Sequence, residues 1–140
     1  FARFISTDTV VVGQCTVASV CKPGDGKTGD LLDSAAQVIS DAGFTVIREP
    51  MEGIVEVDGQ QFDTNYMNWL VGNGFVITTG YGDEALDNEA KKRLQNYFPG
   101  RDVYVHPMLK SWSAGGGVHC HTNDQPAQLS ADAELSDGRF

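Results

Sequence analysis

Basic residues are scarce in this sequence. Its 140 residues include 10 lysines and arginines against 19 aspartates and glutamates, which gives a formal net charge of −9. Coulomb repulsion opposes the approach of such a chain to nucleic acid or to an anionic membrane surface, so we expect neither partner. An excess of acidic groups suits a cationic ligand, because a cleft of one sign concentrates the opposite ion. The same charge also serves solubility alone.

Cysteine and long apolar runs are scarce as well. The three cysteines, Cys15, Cys21 and Cys120, are too few for a small disulfide scaffold, and an odd number leaves at least one thiol free. Cys15 and Cys21 either pair across a tight loop or remain free, and the compartment stays open between the cytoplasm, which we favour, and secretion. No apolar run approaches the ~18–20 residues of a membrane span. With 41% apolar and 21% charged residues, the composition predicts a packed core.

The chain contains an internal repeat of a strand–strand–helix–strand unit. Both copies show β-branched strands before an amphipathic helix, and the helices share related segments, LDSAA and LDNEA. The predicted elements are residues 2–6, 7–14, 31–42 and 44–49 in the first copy and 65–72, 75–80, 84–98 and 102–106 in the second.

Local signals mark the ends of these elements. Asp30 and Asp83 are predicted N-caps of the two helices, and Gly43 stands where a helix often ends in a left-handed residue. Asn73 and Gly74 predict a tight hairpin turn.

Two such units leave sheet edges and apolar faces uncovered, so partner units are expected. Between the units, residues 52–62 resemble a hairpin with Asp58 and Gly59 at its turn. We place the two units within residues 1–127 and interpret residues 128–140 as an acidic, loosely ordered tail.

Residues 114–126, AGGGVHCHTNDQP, concentrate the reactive side chains. Consecutive glycines cost backbone entropy, which indicates that a ligand approaches the main chain closely. Cys120 follows them between His119 and His121, and a thiol beside imidazoles and backbone donors is suited to nucleophilic attack. The alternative is a buried cysteine on a glycine-rich loop. A zinc site is disfavoured, because neighbouring residues of a strand point to opposite faces, and we expect no metal.

Four segments carry a more specific resemblance. In chain order they read FARFISTDTVVVG, NYMNWLVGNGFVITTGYGD, EAKKRLQNYFPGRDVYV and GGGVHCHTNDQP. The first resembles the stretch that follows a Gly-His-x-Asp motif, the second a Y-x-N strand with its glycine turn, the third a helix ending in F-P-G-R, and the last an I/V-H-C-x-T cysteine segment. All four are features of the agmatine deiminase and Porphyromonas-type peptidylarginine deiminase family, and together they cover most of residues 1–126.

The resemblance implies an α/β pentein fold, a propeller of about five strand–strand–helix–strand modules, of which this chain supplies about two. It implies an enzyme that hydrolyses a guanidinium to a ureido group and ammonia through a covalent cysteine thiouronium intermediate, with no cofactor. Agmatine and peptidylarginine both remain open as substrates. The DQP segment after the cysteine inclines us toward agmatine.

The resemblance also suggests roles for individual residues. Cys120 is the implied nucleophile. Asn68, in the Y-x-N strand, either holds the substrate or a catalytic partner or makes a strand-end hydrogen bond, and His119 has an orienting, hydrogen-bonded role. Trp112 either walls the pocket or packs in the core. The loop-shaping residues are Gly115, Gly116 and Gly117.

One part of the family pattern is missing. The acid–base histidine and the guanidinium-binding aspartates belong to the Gly-His-x-Asp motif and to positions upstream of it, and this sequence begins just past that motif. We therefore expect activity only together with the N-terminal portion of the same enzyme, and a homo-oligomer is compatible with this expectation. The competing hypothesis is a non-catalytic binding or regulatory half-domain that keeps the fold.

Overall fold

The computed structural model describes residues 1–123, and the predicted boundary after residue 127 and the acidic tail of residues 128–140 lie outside the described residues. The elements follow the order predicted from the repeat. They are β1 (Ala2–Phe4), β2 (Thr9–Cys15), α1 (Thr28–Asp41), β3 (Thr45–Met51), β4 (Ile54–Val57), β5 (Gln60–Asp63), β6 (Leu70–Gly72), β7 (Phe75–Gly80), α2 (Glu84–Tyr97), β8 (Asp102–Pro107), α3 (Leu109–Ser113) and a 3₁₀ turn (His119–His121).

The two copies of the repeat form two three-stranded sheets of the same topology. In each sheet the central strand pairs antiparallel with the strand before it and parallel with the strand after the helix: β1-β2-β3 around α1, and β6-β7-β8 around α2. We call these sheets with their helices module 1 and module 2. The β4–β5 hairpin joins them, and its turn residues Asp58 and Gly59 have φ of 52° and 79°. The predicted repeat is therefore confirmed.

The helix ends follow the sequence signals in part. Asp83 caps α2 as predicted, since its carboxylate accepts hydrogen bonds from the backbone of the first turn. Gly43 follows α1 with φ of 92°. The predicted cap Asp30 was wrong, because α1 begins at Thr28 and Asp30 lies within its first turn. Asp25 instead accepts from the amides of Lys27 and Gly29, at 2.8 and 3.0 Å.

The strand predicted over residues 65–72 was wrong in its first half. Only Leu70–Gly72 forms β6, and a turn precedes it. The Asn65 side chain accepts from the backbone N–H of Met67 at 3.0 Å, and this local bond competes with strand pairing. Asn68 thus lies between the turn at residues 66–67 and the start of β6 rather than within a strand.

The core is largest in module 2. Ala90 and Leu94 of α2 are fully buried, and they belong to one cluster with Trp69 and Val76 that extends to Val11 of β2 in module 1. The clusters of module 1 are smaller. Burial of apolar surface stabilises a fold by about 25 cal/mol per Å². We therefore expect module 2, which has the larger apolar cluster, to be the more stable part of the described chain. Within residues 1–123 no helix is both long enough and apolar enough to span a bilayer.

A buried ion pair links the two modules. Glu49 of β3, only 1% exposed, accepts from Arg93 Nε at 3.0 Å and from the Tyr97 hydroxyl at 2.8 Å. Arg93 also donates to Glu52 at 3.1 Å. Burial raises the pKa of Glu49 above its ordinary value of 4.5, against the lowering effect of Arg93 and Tyr97.

We expect Glu49 to make stability depend on pH in a defined direction. Between the ordinary and the raised pKa, the folded state binds more protons at Glu49 than the unfolded state, so its contribution to the free energy of unfolding falls as pH rises. Replacing Glu49 by Gln should cost about 1–2 kcal/mol at neutral pH, because Gln keeps only one of the two side-chain oxygens that accept from Arg93 and Tyr97. The loss of unfolding free energy in the Gln variant should grow as pH falls from the raised pKa of Glu49 toward its ordinary value of 4.5.

Denaturant unfolding of the wild type and the E49Q variant between about pH 4 and pH 7 measures this deficit. The exposed Glu56, replaced by Gln, serves as control and should leave the pH dependence unchanged. A deficit that shrinks on acidification would show that the attraction of Arg93 outweighs burial.

Candidate active site

The candidate site lies where β7 and β8 end. These parallel strands finish at Gly80 and Pro107, on the same edge of the module 2 sheet. From β8 the chain passes through α3 and the glycine loop into the 3₁₀ turn. Backbone contact brings the turn back over the entrance to β6, where the N–H of His119 points to the carbonyl oxygen of Asn68 at 3.3 Å.

Asn68 holds the candidate nucleophile directly. Its side-chain oxygen accepts from the backbone N–H of His119 at 2.9 Å and of Cys120 at 3.4 Å. Its side-chain nitrogen donates to the Cys120 sulfur at 3.0 Å. Because two backbone donors face one end of the amide, the oxygen belongs at that end and the NH₂ group must face the sulfur. Asn68 and Cys120 are 52 positions apart in the chain, and this contact brings them together.

Hydrogen bonds with a buried tyrosine fix the start of the turn at residues 66–67, just before Asn68. The Tyr81 hydroxyl accepts from the N–H of Asn65 at 2.9 Å and donates to the carbonyl oxygen of Asn65 at 3.0 Å. Burial raises the pKa of Tyr81 above its ordinary value, so the hydroxyl stays neutral and remains a donor.

Thr79 supports the other side of the glycine loop. It is fully buried on β7, and its hydroxyl oxygen accepts from the backbone N–H of Val118 at 3.2 Å. A Cβ at Gly117 would overlap this hydroxyl. A Cβ on Gly117 would also meet the Asn68 side-chain oxygen, so Thr79 and Asn68 hold neighbouring parts of one loop.

Each of the three loop glycines has its own structural reason. Gly115 has φ of 108°, a conformation that side chains with a Cβ disfavour. A Cβ at Gly116 would lie 2.7 Å from Cβ of Cys120, and one at Gly117 would lie 2.8 Å from the Asn68 side-chain oxygen. At Gly116 and Gly117 the chain itself approaches the main chain closely, whereas a Cβ on Gly115 would meet no atom within 4 Å.

The two histidines beside Cys120 have different surroundings. His121 Nδ1 lies 2.8 Å from the carbonyl oxygen of Gly117, and its ring also faces the Ser111 hydroxyl, which donates to the carbonyl of Gly116 at 2.9 Å. The His119 ring lines the pocket of Cys120. The strand conformation that we used to argue against zinc was wrong, because these residues form a 3₁₀ turn. Among the described residues no three His, Cys, Asp or Glu side chains form a group able to hold a metal ion.

Cys120 opens into a pocket of about 370 Å³. Of the cysteines in residues 1–123 it is the free one, and it is exposed. Trp112 lines the pocket. Its ring packs edge-to-face on Tyr81 with centroids 5.6 Å apart and donates from Nε1 to the carbonyl oxygen of Asp63 at 3.1 Å. The lining residues are Phe1, Arg3, Asn65, Met67, Asn68, Trp112, Gly115, His119 and Cys120.

No aspartate or glutamate among the described residues lines this pocket. A guanidinium is planar and cationic, and carboxylates are the groups that bind it through paired N–H bonds. The polar residues of the lining therefore comprise one cysteine, two asparagines, one histidine and Arg3, with no carboxylate from residues 1–123.

Sequence reasoning missed three supporting residues: Thr79, Ser111 and Asp63. A signal existed for Thr79, since it stands near the carboxyl end of the central strand of module 2, at the edge where the site forms. Ser111 and Asp63 carry no signal, because their roles depend on contacts across 10 and 49 positions with His121 and Trp112.

The fold and the cysteine loop match known proteins. An X-ray structure of a putative agmatine deiminase superposes with a TM-score of 0.70 at 25% identity, over 91% of this chain and 38% of that chain. The C. jejuni agmatine deiminase superposes with a TM-score of 0.68 at 21% identity, over 86% and 34%. Two strand–strand–helix–strand modules with this topology define part of an α/β pentein propeller, which confirms the predicted fold class.

Sequence comparison names the family. The profile of the Porphyromonas-type peptidyl-arginine deiminases matches residues 1–126, and the chain belongs to this family. The agmatine deiminase of Stutzerimonas stutzeri (strain A1501) is 38% identical over 82 residues, which are 54% of this chain and 22% of that protein. The chain thus matches about a fifth of the length of such a curated relative.

Proposed function

We propose that this chain is the cysteine-bearing part of a guanidine deiminase, which hydrolyses a guanidinium to a ureido group and ammonia. The observation that carries the proposal is the Cys120 thiol, which is free, exposed to a pocket and held by the Asn68 amide at 3.0 Å. Membership of the deiminase family supports it.

In the proposed reaction the Cys120 thiolate attacks the guanidinium carbon. A carbon–sulfur bond forms and the electron pair of the C=N bond moves onto nitrogen, which gives a tetrahedral adduct. A general acid gives a proton to one nitrogen, ammonia leaves, and a thiouronium remains. Water, activated by the same group as base, attacks this carbon. The carbon–sulfur bond then breaks, and the ureido product and the thiolate are released.

The described residues would act mainly by positioning. The Asn68 NH₂ group sets the direction of the sulfur and supplies a hydrogen bond to the thiolate. Thr79 and the glycines fix the loop on which Cys120 stands. His119 lies in the pocket, and we propose that it orients its neighbours rather than transfers the proton.

The N-terminal portion of the enzyme is the proposed source of the remaining groups. The pocket lacks a carboxylate from residues 1–123, whereas the family pattern places guanidinium-binding aspartates and the acid–base histidine before this segment. We therefore propose that the site is completed when the N-terminal portion covers the Cys120 pocket, and that this chain alone is inactive.

We propose agmatine as the first substrate to test and peptidylarginine as the second. The curated relative from Stutzerimonas stutzeri carries the name agmatine deiminase, whereas the family is named after peptidyl-arginine. Both substrates present the same guanidinium to Cys120 and differ only in the group beyond its methylene chain.

The test is a product assay on the full-length protein. Incubation with agmatine or with an arginine peptide should release ammonia and ureido product in equal amounts, and residues 1–140 alone should release none. Chloroacetamidine, a guanidinium-like alkylating probe, should add once to Cys120, as read by intact mass spectrometry. Guanidine binding without ammonia release would favour the alternative, a non-catalytic binding half-domain.

A further inference from the structure

A disulfide closes a loop beside the candidate site. Cys15 and Cys21 are bonded to each other, which decides between the two alternatives that the sequence leaves open. Cys15 is the last residue of β2 and stands opposite Met51, the last residue of β3. The loop thus begins at the carboxyl ends of the parallel strands of module 1, just as the Cys120 loop follows those of module 2.

Asp63, at the end of β5, joins this loop to the Cys120 pocket. Its carboxylate accepts from the backbone N–H of Val20 through one oxygen and from that of Cys21 at 3.1 Å through the other. Its main-chain carbonyl accepts from Trp112 Nε1 at 3.1 Å. One residue therefore holds the disulfide loop by its side chain and the wall of the pocket by its backbone.

Trp112 separates two neighbouring cavities. One is the pocket of Cys120, and the other is a cleft of about 650 Å³ whose lining includes Val20, Cys21 and Met51. Phe1, Trp112 and Gly115 line both. A shift of the disulfide loop would change the cleft directly, and through Asp63 it would change the position of Trp112 over the Cys120 pocket.

Both carboxylates of the cleft lining already accept hydrogen bonds from the backbone. Both carboxylate oxygens of Asp63 are occupied by loop amides, and Asp25, the other carboxylate of the lining, accepts from three backbone N–H groups. Apolar side chains, among them Met51 and Phe62, form much of the remaining wall. This chemistry suits the methylene chain of a guanidino substrate and assigns Asp63 a positioning role.

We propose that Asp63 and the disulfide-closed loop of residues 15–21 position Trp112 as the wall of the substrate site and thereby set the affinity for a guanidino substrate, not the rate of the chemical step. This proposal rests on the proposed function. It makes substrate binding sensitive to thiol reductants. A dithiol transfers two electrons and two protons to the Cys15–Cys21 bond, which gives two thiols, and the dithiol is itself oxidised to a disulfide.

The test uses steady-state kinetics of the full-length protein with agmatine. Replacing Asp63 by Ala should raise KM about fivefold or more while kcat changes by less than about threefold. The variant keeps the backbone carbonyl that accepts from Trp112, but it loses the carboxylate that ties residue 63 to the disulfide loop, so this carbonyl and Trp112 are no longer held in place, whereas Cys120 and Asn68 keep their contacts. The D63N variant, which keeps one acceptor oxygen, should lie between wild type and D63A, and it decides the question if D63A does not fold. Asp58→Asn, at the far end of the same hairpin, is the matched control.

Reduction provides a second measurement on the wild type. Dithiothreitol should raise KM in the same direction, and a C15S/C21S variant should show the raised KM without dithiothreitol and no further change with it. If wild type hydrolyses agmatine and reacts with chloroacetamidine but KM is the same in D63A, D63N and after reduction, the proposal is wrong and the proposed function stands. If the wild type neither hydrolyses agmatine nor reacts with the probe, the proposed function itself fails.

Discussion

Replacing Cys120 by Ser in the full-length protein should lower ammonia release from agmatine by about 10³-fold or more. A serine hydroxyl remains protonated near neutral pH, and the side chain at this position receives its hydrogen bond from the Asn68 amide, which is not a base. Attack on a resonance-stabilised guanidinium carbon requires the stronger thiolate nucleophile. Ammonia release under saturating agmatine measures the loss, and intact mass spectrometry should show that the chloroacetamidine adduct is lost as well.

The C15S/C21S variant is the control for this prediction. It removes two sulfur atoms but keeps Cys120, so it should still gain one chloroacetamidine adduct and retain hydrolysis at saturating substrate. Hydrolysis by the C120S variant at a rate near that of the wild type would place the nucleophile elsewhere in the protein and would remove the main support of the proposed function.

Replacing Asn68 by Ala should lower kcat about 100-fold with a smaller change in KM. The variant loses the donor that faces the Cys120 sulfur and the acceptor for the backbone N–H groups of His119 and Cys120. The sulfur then has no fixed direction, and the loop that carries it loses two anchors. Pre-steady-state measurement of thiouronium formation in the full-length protein locates the defect in the attack.

Asn68→Asp separates the two ends of the amide. It keeps an acceptor for the loop amides but sets a carboxylate against the sulfur, which disfavours the thiolate. The rate of chloroacetamidine labelling should therefore reach half its maximum at a higher pH than in wild type. Asn88→Ala, on the exposed face of α2, should match wild type in both measurements. Equal labelling profiles for wild type and N68D would exclude the donated hydrogen bond from the mechanism.

Local and periodic signals predict much of the fold. The alternating and helical patterns of the two repeats, the Asn73–Gly74 turn and the Asp83 cap all depend on residues near one another in sequence, and each has its expected place in the structure. The resemblance to the family adds the cysteine segment and the Y-x-N segment. It predicts that Cys120 and Asn68 belong to the same site, although they are far apart in the sequence.

The errors have local physical causes. Residues 65–69 carry a strand-like pattern, but the Asn65 side chain binds the backbone two residues on and Tyr81, 16 positions away, holds the resulting turn. Asp25 and Asp30 are both acceptors near the start of α1, and the pattern alone does not say which amides each will reach. The choice depends on the preceding loop, whose path is set by the disulfide and by Asp63.

The separation of the two three-stranded sheets bears on how the molecule fluctuates. Among residues 1–123 no backbone ladder joins them, and their contacts are made by side chains, in the apolar cluster that includes Val11 and in the Glu49–Arg93 ion pair. We therefore expect the amides of the two sheets to open to solvent at different rates. Module 1, with its smaller apolar clusters, should exchange its amide hydrogens first, and the Cys15–Cys21 bond limits how far its chain can spread. The loop that bears Cys120 is anchored on Thr79 and Asn68 of the slower-opening unit. The Cys120 thiol can therefore keep its orientation while the sheet of module 1 is transiently open.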